Sequence, residues 1–200
     1  MTQLIQIISA IKNGNILCLP TDTLYSLSCD ATNNNAVKKI FQAKGRDFNK
    51  PLPIFVHNLK QAKQYAFFND KALLLAEKFW PGALTLILPL KINSNLSKYV
   101  YGSNKNIAIR IPKHQLLLQI LREIQLPLVA TSANRSATPN KFTLEEVKTD
   151  FKEQINLYVE NNEPVQINEP STIIDCCTEK IIITRQGKVT IKDITRLFDL

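Results

Sequence analysis

Two short polar blocks, far apart in the chain, carry the residue types that bind an anionic ligand. Lys44-Gly45-Arg46 follows a segment with helical periodicity, and Thr131-Ser132-Ala133-Asn134 follows the apolar run of residues 126–130. The first block offers positive charge, and the second offers hydroxyl and amide groups at the carboxyl end of a predicted strand. Ligands bind at that end of strands in α/β folds. We therefore expect the two blocks to form opposite walls of one anion-binding site.

The first block also has a purely structural interpretation. Lys44 and Arg46 flank Gly45 at a predicted helix end, where cations interact favourably with the helix dipole. In the alternative interpretation these residues bind a ligand. Arg46 would donate hydrogen bonds to two phosphate oxygens, Lys44 would act as a mobile point charge, and Lys50 would add a third cation. The sequence contains neither a Walker A pattern nor G-x-G-x-x-G. Phosphate binding would therefore depend on side-chain charge.

Arg110 is a charged residue inside an apolar segment, Ile107-Ala108-Ile109-Arg110-Ile111. In a strand, alternation places the isoleucines on one face and Ala108 with Arg110 on the other. A buried arginine needs a partner, because an unpaired interior charge is very costly. An internal salt bridge with a carboxylate of the chain would provide one.

The remaining reactive residues exclude several kinds of enzyme site. His57 and His114 are the only histidines, so neither a Ser-His-Asp triad nor a zinc-ligand set is expected. The four cysteines show no C-x-x-C spacing, and reduced thiols in a reducing compartment fit them best. No protein side chain is predicted as a metal ligand.

Length and charge favour a soluble protein with anionic partners. The 200 residues suit one domain, residues 1–200, and the net charge of +8 favours nucleotide, RNA or both. The sequence has no apolar stretch long enough to span a bilayer and no basic secretory n-region. We therefore expect a cytoplasmic protein with no membrane partner.

Helical and strand-like segments alternate along the chain. Periodicity predicts helices over 3–13, 33–44, 70–79 and 114–124, one opening at the capping box of Thr143, and one from about 191. Asn33 or Asn34 would cap the second helix and Gly45 would end it. Predicted strands cover 16–19, 52–56, 84–90, 107–111 and 127–130, with shorter ones near 157–159, 172–176 and 180–184. This alternation predicts an α/β fold with one main sheet.

Further blocks extend the pattern over almost the whole chain. They are Leu19-Pro20-Thr21-Asp22-Thr23-Leu24-Tyr25, Lys50-Pro51-Leu52, Phe79-Trp80-Pro81-Gly82-Ala83-Leu84-Thr85, Ile107-Ala108-Ile109-Arg110-Ile111-Pro112, Ser171-Thr172-Ile173-Ile174-Asp175 and Thr184-Arg185-Gln186-Gly187. In this order and spacing they closely resemble the YrdC-like family of threonylcarbamoyl-AMP synthases, with Lys44/Arg46 and Ser132/Asn134 as its signature. The resemblance runs from about Gly14 to Gly187.

The resemblance implies a fold and an activity. The fold is a twisted, mixed-sheet α/β domain flanked by helices, with a deep positively charged cavity, in the short single-domain form of the family. The activity converts L-threonine, bicarbonate and ATP, with Mg²⁺, to threonylcarbamoyl-AMP and pyrophosphate. The product would feed threonylcarbamoylation of adenosine 37 in tRNA, completed by a separate transferase.

The resemblance also implies roles for individual residues. Lys44 and Arg46 would be catalytic through their charge, and Asp175 would brace the site. Residues implied to bind ATP are Lys44, Arg46, Lys50, Asn134 and Arg185. Residues implied to bind threonine are Thr23, Arg110, Ser132 and Ser171, with Arg110 meeting the threonine carboxylate.

The chain departs from the family pattern at three positions. Ser26, Ser28 and Ala137 stand where the family usually has glycine, which restricts the backbone and adds bulk. Phe55 aligns with a substrate-contacting histidine of some relatives, and His57 receives no role.

Two other functions compete with the synthase. One is a double-stranded-RNA or tRNA-binding module without ATP turnover, which the absence of interleaved surface aromatics disfavours. The other is a carbamoyl-transferring relative of hydrogenase maturation, whose additional domains and zinc-binding cysteines do not occur in this sequence.

Overall fold

Short strands and helices alternate along the part of the chain that the computed structural model describes, residues 2–163 and 168–198. The helices in these ranges are α1 (Thr2–Lys12), α2 (Asn34–Lys44), α3 (Leu59–Tyr65), α4 (Asp70–Phe79), α5 (Gln115–Ile124), α6 (Leu144–Phe151) and α7 (Ile191–Leu197). The strands are β1 (Leu17–Leu19), β2 (Ser26–Ser28), β3 (Ile54–Phe55), β4 (Leu84–Pro89), β5 (Asn106–Arg110), β6 (Leu128–Val129), β7 (Thr131–Ser132), β8 (Leu157–Tyr158), β9 (Thr172–Asp175) and β10 (Ile182–Arg185). The predicted α/β class is confirmed.

The strands divide between two mixed sheets. One has the order β7-β2-β1-β8 and the other the order β10-β9-β4-β5-β3-β6. The expectation of one main sheet was therefore wrong. The missed strands β2 and β7 read Ser-Leu-Ser and Thr-Ser, so they lack the run of β-branched or aromatic residues by which a strand is recognised.

Both ends of α2 follow the predicted signals. The Asn33 side chain caps the helix by accepting two backbone N–H bonds, and Gly45 ends it at a φ of 59°. That left-handed conformation favours glycine, which has no Cβ to clash. The chain therefore leaves the helix between Lys44 and Arg46 and sends their side chains to different places.

Alternation in β4 and β5 separates core from cavity. Leu84, Leu86 and Leu88, with Ile107 and Ile109, are wholly buried in the larger apolar cluster, which also takes in residues of α2 and α4. The opposite face of these strands presents Thr85, Ile87, Ala108 and Arg110 to a cavity. The predicted division of the Arg110 strand into two faces is confirmed.

A smaller apolar cluster holds α1 and α5 against β1. Ile7 and Ile11 of α1 and Leu117, Ile120 and Leu121 of α5 are all buried in it. No helix in the described ranges has the length and apolar character needed to cross a bilayer.

Candidate active site

A cavity of about 270 Å³ takes its walls from both sheets. Ser26 of β2 and Thr131 of β7 represent the four-stranded sheet, and β3, β4, β5, β9 and β10 of the six-stranded sheet supply further lining residues. Six of the nine residues predicted for the site line this cavity: Thr23, Arg46, Arg110, Ser132, Ser171 and Arg185. Their roles in binding a substrate stay predictions.

Lys44 does not line the cavity. Its side chain is buried, and Nζ donates hydrogen bonds of 2.5 Å each to the backbone carbonyls of Ser132 and Asn134. In return, the Ser136 N–H donates to the Lys44 carbonyl at 2.9 Å. The two signature blocks thus contact each other directly, and Lys44 clamps the backbone of the second block. We call this arrangement the Lys44 clamp.

The Lys44 ammonium has no carboxylate partner among the described residues. Burial, and to a smaller extent the nearby positive charge of Arg46, lower its pKa from 10.5 to about 7. Loss of water destabilises the charged form of a lysine, and carbonyl dipoles compensate for this only in part. Lys44 is therefore poised between its charged and neutral forms near neutral pH.

Asn134 and Lys50 also lie outside the cavity lining. Asn134 Oδ1 accepts a 2.6 Å bond from the Ser132 hydroxyl, and its Nδ2 donates to the Thr138 carbonyl at 2.7 Å. Asn134 thereby closes the loop that follows β7. Lys50 is exposed, and its backbone carbonyl accepts a bond from Arg46.

Arg46 reaches the cavity wall from the loop after α2. Its Nε donates to the Lys50 carbonyl and one terminal nitrogen donates to the Pro51 carbonyl, both at 3.0 Å. A guanidinium has five N–H donors, so three stay available to a ligand. Burial lowers the pKa of Arg46, and Asp47 opposes this shift.

Arg110 lies on β5 and forms an internal salt bridge with Asp22, at 2.6 Å between a terminal nitrogen and Oδ1. The other terminal nitrogen donates to Thr23 Oγ1 at 2.7 Å, and Nε donates to the Gly82 carbonyl at 2.9 Å. Its guanidinium carbon lies 5.8 Å from the ring centroid of Phe55. The internal salt bridge, one of the two partners considered for Arg110 from the sequence, is present, and Asp22 supplies its carboxylate. Binding of a substrate carboxylate by Arg110 stays a prediction.

Arg185 and Ser171 form a third polar group in the cavity wall. Arg185 donates to both the carbonyl and the hydroxyl of Ser171, at 2.8–3.0 Å, and the same hydroxyl lies 2.9 Å from Thr85 Oγ1. Burial and the charge of Arg110 lower the pKa of Arg185. Just after Arg185, the backbone of Gly187 passes close to Pro170. A Cβ at Gly187 would lie 2.3 Å from the Pro170 carbonyl oxygen, so only glycine fits there.

Sequence reasoning missed some lining residues. Thr85 is buried on β4 between two leucines in sequence, and it lies on the opposite face of the strand from them. A single threonine inside an apolar strand is the signal that could have identified it. Nothing local in the sequence identifies Asp22 as the partner of Arg110, which lies 88 positions away.

Other candidate residues lie outside the cavity lining. His57 Nδ1 lies 2.7 Å from Gln61 Oε1, and Phe55 rather than His57 faces the cavity. Asp175, expected to brace the site, accepts the backbone N–H of Cys177. Within residues 2–163 and 168–198, no group of three or more histidine, cysteine or acidic side chains is placed to hold a metal.

Comparison with known proteins adds relatives that cover nearly the whole chain. Residues 9–187 match the Sua5/YciO/YrdC family, described as "Telomere recombination". The chain is 36% identical to the threonylcarbamoyl-AMP synthase of Bacillus subtilis over 94% of its own length and 54% of that protein. It is 38% identical to a putative threonylcarbamoyl-AMP synthase of Methanocaldococcus jannaschii, over 93% of this chain and 86% of that one.

A solved structure shows the same architecture. Sua5 of Pyrococcus abyssi in complex with L-threonine superposes with a TM-score of 0.92 at 31% identity, over 98% of this chain and 57% of that one. The chain thus spans about half the length of the B. subtilis and P. abyssi proteins. With the family match covering residues 9–187, the chain belongs to the Sua5/YciO/YrdC family.

Proposed function

We propose that the chain synthesises threonylcarbamoyl-AMP from L-threonine, bicarbonate and ATP, with release of pyrophosphate. The observation that carries this proposal is the cavity wall. Arg46, Arg110 and Arg185 all line it, and no carboxylate occurs among its described lining residues. Such a wall suits a ligand with several negative charges. Relatives that bear the name of this synthase support the choice of substrates.

The chemistry needs no nucleophile from the protein. The threonine amine first forms a carbamate, either with carbon dioxide, releasing a proton, or with bicarbonate, releasing water. A carbamate oxygen then attacks the α-phosphorus of ATP, and pyrophosphate leaves with the electrons of the broken P–O bond. The protein contributes alignment and neutralisation of the charge that develops. Burial raises the pKa of the Cys18 and Cys176 thiols to about 12, which agrees with a reaction that uses no thiolate.

The site residues divide between the two ends of this reaction. We assign Arg46 and Arg185 to the phosphates, and Arg110, Thr23, Ser132 and Ser171 to threonine. Lys44 would act on the nucleotide through the loop that it clamps, which also carries Asn134, and Lys50 would add charge outside the cavity.

Mg²⁺ would enter with ATP as part of the substrate. The described cavity lining offers hydroxyl and guanidinium groups and no carboxylate. This donor set suits an ion carried by phosphate oxygens better than one held by protein ligands.

The product has a proposed use as well. We expect a separate transferase in the cytoplasm to move the threonylcarbamoyl group to adenosine 37 of tRNA.

One observation favours the second candidate function, RNA binding. Phe48 is 46% exposed and stacks on Phe41, with ring centroids 4.8 Å apart. The Tyr99 ring lies 5.3 Å from Phe48, and the ammonium groups of Lys38 and Lys98 lie 5.9 and 5.4 Å from the Tyr99 centroid. An exposed aromatic ring and lysines thus lie close together on the surface, and such groups stack on bases and contact phosphates.

Pyrophosphate release from Mg²⁺-ATP and bicarbonate, with and without L-threonine, tests the proposed function. We expect threonine-dependent release that falls by roughly 100-fold in Arg46→Ala, since loss of one charged donor costs about 3 kcal/mol in the transition state. Arg122→Ala is the matched control, because Arg122 is exposed on α5. Folded protein that releases no pyrophosphate in response to threonine, but binds RNA with a steep salt dependence, would establish the second candidate.

A further inference from the structure

Arg110 is the most deeply buried charged group in the cavity wall, at 4% exposure. Three of its N–H groups are used inside the protein, by Asp22, Thr23 and the Gly82 carbonyl. Of five N–H donors in a guanidinium, two therefore remain, one on each terminal nitrogen. Arg110 lines the cavity, so this pair is left for a ligand with two acceptor oxygens.

Asp22 is also buried, and hydrogen bonds fix the backbone around it. It is 6% exposed, and its carboxylate contacts the guanidinium at 2.6 Å. The Thr21 hydroxyl accepts the N–H groups of Thr23 and Leu24, which fixes the turn that carries Asp22. The Asp22 carbonyl also accepts a 3.3 Å bond from Lys188 Nζ. These bonds fix the backbone from which the Asp22 side chain reaches Arg110.

Asp22 and Thr23 hold different terminal nitrogens of Arg110, so together they set the rotation of the guanidinium plane. Bidentate binding of a carboxylate requires both free N–H groups to point along nearly parallel lines. A displacement of about 1 Å is enough to spoil such alignment in a binding site. The orientation imposed by Asp22 is therefore part of the binding geometry.

We propose that Asp22 is a positioning residue that orients Arg110 for the carboxylate of the amino-acid substrate, an inference that rests on the proposed function. Asp22 acts through Arg110 and does not touch the substrate. Its geometry, more than its charge, sets the affinity for that carboxylate. The other possible role is purely structural, in which Asp22 only neutralises a buried cation.

Two substitutions separate geometry from charge. Asp22→Asn keeps an acceptor oxygen at the same distance from the backbone and removes the charge. Asp22→Glu keeps the charge and moves the acceptor by one methylene. If Asp22 acts by positioning Arg110, Asp22→Glu should weaken substrate binding more than Asp22→Asn. If Asp22 only neutralises the charge of Arg110, Asp22→Asn should weaken it more. Asp30→Glu is the matched control, because Asp30 accepts bonds from Thr32 in a turn outside the cavity.

Calorimetric binding of L-threonine and of L-threoninamide, which lacks the carboxylate, is the experiment. We expect Asp22→Glu to weaken L-threonine binding by about 10-fold or more, and Asp22→Asn and Asp30→Glu by less than about threefold. L-Threoninamide should bind all four proteins alike. In turnover, the KM for L-threonine should rise in Asp22→Glu while the KM for ATP holds.

Circular dichroism establishes whether each variant is folded. If Asp22→Glu does not fold, Asp22→Ser replaces it, since the shorter side chain also withdraws the acceptor, and the same loss is expected. The inference fails if Asp22→Asn is the weaker binder, or if L-threonine and L-threoninamide lose affinity equally. Both the inference and the proposed function fail if the wild-type protein binds no L-threonine. Threonine binding that no variant alters overturns the inference alone.

Discussion

Lys44 and Arg110 are both buried cations, at 3% and 4% exposure, yet they have different partners. Lys44 donates to two backbone carbonyls, whereas Arg110 pairs with the carboxylate of Asp22. Burial lowers the pKa of both groups, and at Arg110 the charge and hydrogen bond of Asp22 oppose this shift. A buried charge persists when an opposite charge faces it, while carbonyl dipoles alone leave the ammonium ready to lose its proton.

This difference assigns the two cations to different tasks. Arg110 presents a permanent charge to the cavity and keeps two donors free. Lys44 uses its donors on the chain itself, in the Lys44 clamp, and holds the loop after β7 in place.

The largest effect is expected from removing the ion-paired cation. Arg110→Ala leaves the Asp22 carboxylate buried without its partner, which typically costs about 3–5 kcal/mol in the free energy of unfolding. L-Threonine binding should be lost as well. Urea denaturation measures the first effect, with Arg122→Ala as the control. A decrease of less than about 1 kcal/mol in the free energy of unfolding would show that Asp22 finds another partner. The difference between Arg110 and Lys44 in their dependence on a partner would then disappear.

A smaller effect is expected from Lys44→Met, which keeps an unbranched side chain one atom shorter and removes the ammonium. The carbonyls of Ser132 and Asn134 lose a donor, and an unsatisfied buried polar group costs about 1–3 kcal/mol. Hydrogen exchange should speed up at the backbone amides of residues 132–138. Lys12→Met, at an exposed position of α1, is the control. Unchanged exchange in this loop would contradict the clamp.

The two cations should also differ in their response to pH. Because the pKa of Lys44 is about 7 in the folded protein and ordinarily 10.5, the unfolded chain binds the extra proton between these values. Stability attributable to Lys44 should therefore rise with pH above 7 and be lost as the pH falls towards 7, by at most about 1.4 kcal/mol per unit. The measurement is the stability difference between wild type and Lys44→Met at pH 7 and pH 8. A constant difference would mean that Lys44 stays charged.

The smallest effect concerns Ala137, in the loop that Lys44 clamps. Its φ is 63°, a conformation that is strained for residues with a Cβ. Ala137→Gly should stabilise the protein by about 0.5–1 kcal/mol, because the strain relieved exceeds the flexibility added to the unfolded chain. Ala10→Gly, inside α1, should instead destabilise it by about 1 kcal/mol. A loss of stability in both variants would show that Ala137 is unstrained.

Local features of the molecule were predictable from the sequence because a few neighbouring residues determine them. The Asn33 cap, the Gly45 terminus and the two faces of the Arg110 strand depend on contacts within one or two turns or on simple alternation. Thr143 likewise forms the predicted capping box.

Long-range features were not predictable in the same way. The Asp22–Arg110 pair joins residues 88 positions apart, and the Lys44 clamp joins residues 88 and 90 apart. Two cations separated by one glycine gave no sign that one would face the cavity and the other the backbone behind it. The division into two sheets depends on pairing of the short strands β2 and β7, which carry no apolar pattern of their own.

The cavity takes its walls from both sheets. A compound that fills it would therefore bind only the folded protein, in which both sheets are formed. Any such compound shifts the unfolding equilibrium by mass action, by about 2.7 kcal/mol at a free concentration 100-fold above its Kd. For a chain of this size that amounts to a rise of roughly 5–10 °C in melting temperature. A dye-based melting screen would thus find inhibitors and substrate analogues without any assay of turnover.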